Sequence, residues 1–111
     1  MFQLTRQGAI DVIRGSDALT LENVPDAARV LQQCAANKQP RVVFDLARVP
    51  LIDSSGLELL LDTQDAYLSD GGALKLAAPN VLCRDILAVT GLDHHFQIYD
   101  GADLAAGSFV H

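Results

Sequence analysis

Segment 42–57 restricts the possible folds of this chain more than any other part of the sequence. It opens with a run of apolar residues, Val42–Phe44 followed by Leu46, which is typical of an interior strand covered on both faces. A short loop comes next, and Asp53–Gly56 stands directly before leucines at helical spacing. A buried strand followed at once by a helix is the building unit of α/β domains, so this segment predicts a sheet with helices packed on it.

The rest of the sequence divides into strands and helices in the same way. Apolar periodicity, with Gly, Pro and Asn at the boundaries, predicts strands at 2–7 and 9–14, a helix at 25–37, a strand at 41–46, a helix from 54 or 55 to 69, a strand at 73–77, a helix at 81–90, a strand at 96–99 and a last helical turn or two within 100–107. The two opening strands flank Gly8 and are predicted to form a hairpin.

The predicted order is β-β-α-β-α-β-α-β-(α), which indicates an α/β fold in a single domain, 1–111. We expect a mixed, mostly parallel sheet, because strands joined through helices pair in parallel whereas the opening hairpin is antiparallel. The first helix is predicted to bury Val24, Ala27, Ala28, Leu31, Cys34 and Ala35, and the second to bury Leu57, Leu60, Leu61 and Leu68.

The acidic balance of the chain argues against several classes of function. Fourteen Asp and Glu against eight Lys and Arg give a formal net charge of −6. Nucleic acids and anionic membrane surfaces attract basic proteins, so neither is an expected partner. No apolar run approaches the roughly 20 residues of a membrane span. Residues 1–6 lack the basic start and apolar core of a signal peptide, so we expect a cytoplasmic protein in which Cys34 and Cys83 are reduced core thiols.

Two interpretations of Asp53-Ser54-Ser55-Gly56 follow from its position before a helix. Asp and Ser are preferred helix N-caps, so the motif is explained by capping alone. The alternative is that one serine is phosphorylated. The first turn of a helix has unpaired N–H groups and a partial positive charge, so it tolerates a phosphate, which adds about −1.5 to −2 charges at pH 7. Such a group would change the surface that a partner meets without disrupting the fold.

A stripe of one charge sign follows the serines along the predicted second helix. Glu58, Asp62 and Asp65 recur at i, i+4 and i+7, and segment 49–74 contains no Lys or Arg. The stripe is explained either as a solvated face or as a surface that steers a basic partner towards the serines.

Enzymatic and metal-binding functions have little support in the sequence, and no cofactor is expected. A nucleophile elbow reads G-x-S-x-G, whereas Ser54 and Ser55 follow Ile52-Asp53. His94 and His95 are adjacent but lack Cys, Asp or Glu at ligand spacing, and they are assigned to a surface loop. We therefore expect a binding module rather than an enzyme.

The strand–loop–Asp-Ser-Ser-Gly-Leu–helix unit closely resembles the STAS domain, the family of bacterial anti-sigma factor antagonists. The resemblance extends over essentially the whole chain. The matching segments are the strand at 42–46, the signature at 52–57, the Gly-Gly and strand at 71–76, the third helix with its closing Thr-Gly-Leu at 81–92 and the last strand at 96–99.

The resemblance implies a partner-switching cycle. In the family, the unphosphorylated antagonist binds an anti-sigma factor that is also a serine kinase, and so frees a sigma factor. The kinase phosphorylates the antagonist, the complex dissociates, and a PP2C-type phosphatase resets it. The serine directly after the motif's Asp is the family's acceptor, so Ser54 carries over, with Ser55 as the alternative. Asp53 carries over as the acid that shapes the loop, and Gly56 as the residue that allows close approach.

Two departures from the family pattern bear on the partner. Members often carry Gly-Glu-Leu-Asp or similar after the second strand. Here loop 15–23 is longer and lacks the acid that follows the leucine in that pattern, and Asp17 or Glu22 could substitute for this acid. Glu58 stands where many antagonists have a small residue. A STAS module in another system therefore remains the alternative, such as the cytosolic component of a lipid-transport ABC complex or a sensory partner protein, without a cycling phosphoserine.

Overall fold

The computed structural model describes residues 1–36 and 38–110 and has the α/β architecture that the sequence predicts. The elements are strands β1 (Phe2–Gln7), β2 (Ile10–Gly15), β3 (Arg41–Asp45), β4 (Ala73–Ala77) and β5 (Ile98–Tyr99), and helices α1 (Val24–Cys34), α2 (Ser54–Ser69), α3 (Val81–Val89) and α4 (Ala102–Gly107). Short 3-10 turns occupy Leu92–His94 and Ser108–Val110.

The five strands form one mixed sheet in the order β1-β2-β3-β4-β5. The hairpin β1–β2 is antiparallel, and every other neighbouring pair is parallel. Because β2, β3 and β4 run the same way, the helices that follow them, α1, α2 and α3, all begin at the carboxyl edge of the sheet. This topology brings three loops and three helix N-termini together at one end of the molecule.

Two apolar clusters lie on opposite faces of the sheet. Alternate residues of β2, β3 and β4, such as Ile13, Phe44 and Leu76, pack with α1, α2 and α3. The intervening residues, such as Val12 and Val43, pack with α4. The interior strands therefore bury apolar residues on both faces, as predicted, with Asp11 in β2 and Lys75 in β4 as buried charged exceptions.

Both cysteines lie in the larger cluster as free thiols. Burial raises the pKa of the Cys34 thiol to about 12 and also raises that of Cys83. The thiols are thus protonated at neutral pH and poorly nucleophilic, in agreement with the prediction of reduced core cysteines.

Several element boundaries differ from the predicted ones. Helix α1 begins at Val24 and ends at Cys34, its last buried residue, and Ala35 and Ala36 after it are exposed; the predicted end at Asn37 lies outside the described residues. Strand β2 starts one residue later than predicted, because Gly8 and Ala9 form the two-residue turn that pairs Gln7 with Ile10. It ends at Gly15, which pairs with Phe2 at the start of β1.

The remaining differences concern the ends of β3, α3 and β5. Strand β3 and helix α3 each end one residue earlier than predicted, and Gly91 follows α3 with a left-handed φ of 74°. Strand β5 is only two residues long, because the pairing with β4 covers Ile98 and Tyr99 alone, while Phe96 turns into the core.

Two predicted core positions are wrong. Ala35 is exposed because α1 has ended before it, and Leu68 is exposed on the last turn of α2. Leu60 is buried as predicted and Leu57 and Leu61 are half-buried, whereas the other buried positions of α2 are Gly56, Gln64 and Tyr67. Gln64 is accommodated there because its side-chain amide donates to the carbonyl of His95 and its oxygen accepts from the Leu74 N–H.

Candidate functional site

The candidate site lies at the carboxyl edge of the sheet, where the loop after β3 enters α2. Asp53 is the N-cap of α2, in extended conformation, and its Oδ1 accepts a hydrogen bond from the Gly56 N–H at 2.9 Å. The capping interpretation of the sequence motif is therefore correct for Asp53.

Asp53 also ties α2 to loop 16–23. Its second carboxylate oxygen accepts from the Leu21 N–H at 3.0 Å, and its own N–H donates to the Leu19 carbonyl at 3.2 Å. The hydrogen bonds from Gly56 and Leu21 lower the pKa of the Asp53 carboxyl, because they stabilise its ionised form. Asp53 thus fixes the loop after β2 against the start of α2.

The two serines occupy the first two positions of α2. Ser54 is exposed and Ser55 is half-buried. Neither hydroxyl has a hydrogen-bond partner within the described part of the chain. Ser54 therefore presents the more accessible hydroxyl to an approaching protein, and it lies where the unpaired N–H groups of the helix favour added negative charge.

Gly56 permits the loops to approach each other. A Cβ at this position would lie 2.2 Å from the Leu19 carbonyl oxygen and 2.9 Å from Ile52 Cγ2. Leu19 pairs with Ile52 in a single parallel β-bridge, and the Leu19 N–H donates to the Leu51 carbonyl at 2.9 Å. The close approach expected of this glycine is therefore a contact between the loop after β2 and the start of α2.

The predicted acids of loop 16–23 lie in different surroundings. Asp17 forms an ion pair with the amino group of Met1, at the side of the loop nearer β1. Glu22 is exposed and follows Leu21, the residue that donates to Asp53. Glu22 is thus the sequence neighbour of a residue bonded to Asp53, whereas the Asp17 carboxylate is paired with the Met1 amino group.

The acidic stripe of α2 is exposed along its length. Glu58, Asp62 and Asp65 all face solvent, and none of them forms an ion pair with any described residue. The stripe starts one helical turn after Ser54, so the exposed hydroxyl and the acidic surface belong to one continuous face.

Asn80 stands at the start of α3 and has two roles, the second of which depends on the fold. Its Oδ1 caps α3 by accepting from the Cys83 N–H at 2.7 Å. Its Nδ2 donates to the carbonyls of Val49 and Pro50, each at 3.2 Å. Asn80 therefore fastens the start of α3 to the loop that leads into the site.

Residues 1–36 and 38–110 contain no candidate metal site and no candidate membrane span. No group of three or more His, Cys, Asp and Glu side chains there could hold a metal ion, and no helix is both long and apolar enough to cross a bilayer. His94 lies in the 3-10 turn before β5, and His95 follows it.

The family model of the STAS domain matches residues 1–105. The chain belongs to the STAS domain family. A search of curated proteins found no match.

Solved structures support the same fold. An anti-sigma-factor antagonist (STAS) domain protein from Planctomyces limnophilus matches with a TM-score of 0.90 and 23% identity, over 99% of this chain and 98% of that one. The Bacillus cell fate determinant SpoIIAA in its phosphorylated form matches with a TM-score of 0.74 and 20% identity, over 98% and 99%.

A STAS-like unit also occurs within a much larger protein. The murine anion transporter Slc26a9 matches with a TM-score of 0.79 and 12% identity, over 95% of this chain and 18% of the transporter. At these identities the likenesses establish the fold alone, which these proteins share with this chain.

Proposed function

We propose that this STAS domain is an anti-sigma factor antagonist: a cytoplasmic, non-catalytic binding module that sequesters an anti-sigma factor with serine kinase activity while Ser54 is unphosphorylated. The observation that carries the proposal is the position of Ser54, exposed at the first turn of α2, with its hydroxyl free of described partners and an unpaired acidic stripe beginning one turn later. The residues proposed to bind the partner are Asp53, Ser54, Ser55, Gly56, Glu58, Asp62, Asp65 and Glu22, together with Asp17, which in the free protein forms an ion pair with the amino group of Met1.

Phosphoryl transfer to Ser54 dissociates the complex between this protein and the kinase. The Ser54 Oγ attacks the γ-phosphorus of ATP, the bond to the ADP oxygen breaks, and the hydroxyl proton passes to a base of the kinase. A PP2C-type phosphatase reverses the modification by directing water at the phosphorus, which restores the serine and releases inorganic phosphate. Transcription from the promoters of the sigma factor then depends on whether that factor is free or held by its anti-sigma factor.

The free energy needed for the switch is modest. A standard interface buries about 1,600 Å², and a doubly charged, strongly hydrated group at its centre costs several kcal/mol in desolvation and repulsion. Since about 1.4 kcal/mol is a tenfold change in affinity, a loss of roughly 10²–10³-fold is attainable without any rearrangement of this domain.

The test is the intact mass of the protein isolated from its native cytoplasm, followed by peptide mapping of the segment that contains Ser54. We expect one added phosphoryl group on Ser54, absent from Ser54→Ala and retained in the matched control Ser55→Ala. Phosphate on Ser55 instead would keep the switch and refute the assigned acceptor. Absence of phosphate under all growth conditions would refute the switch.

The second candidate is a STAS module of another system, such as the cytosolic component of a lipid-transport ABC complex or a sensory partner, without a cycling phosphoserine. It is favoured by the likeness to a domain of an anion transporter and by the longer loop 15–23. Co-purification of transporter subunits with an unphosphorylated protein would support it.

A further inference from the structure

The side chain of Asn80 makes more hydrogen bonds than a helix cap requires. A cap needs only an oxygen that accepts from the first turn, and Ser, Thr and Asp provide one as well as Asn does. The Oδ1 of Asn80 does this for α3 by accepting from the Cys83 N–H at 2.7 Å. Its Nδ2 in addition donates to the Val49 and Pro50 carbonyls, each at 3.2 Å. Among the preferred capping residues, only asparagine has an amide that can do both.

The segment 49–53, which leads into Ser54, is held from two sides. On one side the Leu19 N–H donates to the Leu51 carbonyl at 2.9 Å, and the Leu19 carbonyl accepts from the Asp53 N–H at 3.2 Å. On the other side the start of α3 holds residues 49 and 50 through the Asn80 amide. Pro50 has no N–H, so its carbonyl is its one backbone group for such a bond. Within the described part of the chain, the partner of that carbonyl is Asn80.

A strained residue precedes Asn80. Ala78 has a φ of 54°, and among the described residues it is the one non-glycine residue with a positive φ. The left-handed region is unfavourable for a residue with a β-carbon. The Ala78 N–H donates to the Tyr99 carbonyl at 2.8 Å, and the next residue, Pro79, is buried, so the surroundings hold this turn in place. Strain of this kind clusters at functional sites, and here it lies in the turn that delivers Asn80 to the loop after β3.

We infer that Asn80 is a positioning residue for phosphorylation of Ser54, an inference that rests on the proposed function. Phosphoryl transfer requires the attacking hydroxyl to lie in line with the phosphorus, and a small displacement of a reacting group costs much of the rate. Asn80 acts through segment 49–53: its two donated hydrogen bonds fix the start of this segment while Leu19 fixes its end. The first turn of α2, with Ser54, is then presented in one orientation.

Two substitutions separate the donated bonds from the cap. Asn80→Ser and Asn80→Asp both keep an oxygen that can cap α3, and both remove the amide that donates to Val49 and Pro50. Serine is neutral, so agreement between the two variants excludes a direct effect of added charge on the kinase. Tyr67→Phe is the matched control, because it removes a buried hydrogen bond to the Leu31 carbonyl at the contact between α1 and α2.

Hydrogen exchange of the protein alone measures how firmly the segment is held. The reporter is the Leu19 amide, which donates to the Leu51 carbonyl, and the reference is the Phe44 amide in the central strand β3. We expect the exchange rate of Leu19 relative to Phe44 to rise at least about tenfold in both Asn80 variants, because local opening becomes easier while global stability changes little. In Tyr67→Phe this ratio is expected to stay within about twofold, since both amides lose protection together.

Phosphorylation kinetics measure the consequence for Ser54. The kinase is the fraction of the native lysate that transfers phosphate from ATP to Ser54 of the wild-type protein. We expect kcat to fall at least about tenfold in both Asn80 variants with KM within about threefold, because a misplaced hydroxyl slows the transfer while the docking surface stays intact. Tyr67→Phe is expected to keep the wild-type kcat and KM.

The outcomes separate the inference from the proposed function. An unchanged exchange ratio in both Asn80 variants would show that the amide does not hold the segment, and would overturn the inference whatever the kinase does. A raised ratio with wild-type kcat would also overturn it, and would leave the proposed function standing. If no lysate fraction phosphorylates even the wild-type protein, the proposed function fails and the inference fails with it.

Discussion

At the scale of single residues, Gly56 has no room for a β-carbon. Gly56→Ala would place a methyl group 2.2 Å from the backbone oxygen of Leu19, which cannot rotate away. The loop after β2 must then move, and its hydrogen bonds to Leu51 and Asp53 weaken. We expect the free energy of unfolding in urea to fall by about 1–3 kcal/mol, the usual cost of overpacking.

The matched control for this change is Gly107→Ala in α4. A Cβ at Gly107 meets nothing within 4 Å, so this substitution is expected to be neutral or slightly stabilising because alanine favours the helix. Equal stability of the two variants would show that the loop after β2 adapts freely, and would remove Gly56 as the residue that positions the site.

Asp53 makes the stability of the site depend on pH. Its pKa is lowered in the folded protein by hydrogen bonds from Gly56 and Leu21. A carboxyl with a lowered folded pKa contributes stability above its unfolded pKa of about 3.9, and that contribution is lost as the pH falls through the folded value. In Asp53→Asn we expect lower stability at pH 7 and a smaller further loss on acidification than in the wild type.

Urea unfolding at pH 7 and at about pH 3 measures both effects. Asp65→Asn is the control, since Asp65 is exposed on α2 and its side chain has no hydrogen bond to another described residue. The interpretation of Asp53 as an ionised cap is wrong if Asp53→Asn and Asp65→Asn show the same pH dependence.

At the scale of elements, Tyr67 joins α2 to α1. Its buried hydroxyl donates to the Leu31 carbonyl at 2.6 Å, and burial raises the pKa of the phenol, so it stays a donor at neutral pH. Tyr67→Phe removes this bond and keeps the ring. We expect a loss of about 1 kcal/mol in the free energy of unfolding, the usual net value of a hydrogen bond.

Tyr99→Phe provides the comparison for Tyr67. The Tyr99 hydroxyl donates to Gln97 Oε1 at 2.9 Å in an exposed position, where water replaces the partner. Loss of the Tyr99 hydroxyl is expected to leave the free energy of unfolding almost unchanged. Equal effects in the two variants would mean that the bond between α1 and α2 adds nothing beyond an ordinary surface contact.

At the scale of the whole molecule, the proposed switch acts through charge and not through rearrangement. Ser54 lies on the exposed end of α2, whereas α4 packs on the opposite face of the sheet. Negative charge at a helix N-terminus is favourable, so Ser54→Asp is expected to leave the packing intact. Amide chemical shifts should change near the start of α2 and remain unchanged at Ala105 in α4. Widespread shift changes would refute a local mechanism.

Much of the architecture was predictable because it is encoded locally. The alternation of strands and helices follows from apolar periodicity, and the start of α2 follows from a cap whose bond to Gly56 spans three residues. Predictions failed where packing overrode pattern. Leu68 fits the helical stripe but is exposed on the last turn of α2, and buried Gln64 breaks the apolar pattern because Leu74 and His95 satisfy its amide.

The sequence by itself determined the family, the order of elements and the position of Ser54 at a helix start, because these depend on neighbours within a few residues. Only the tertiary structure decided what surrounds that serine. The hydrogen bond from Leu21 to Asp53 joins residues 32 apart, and that from Asn80 to Val49 joins residues 31 apart. Such contacts exist only once parallel pairing has brought the carboxyl ends of β2, β3 and β4 to one edge of the sheet.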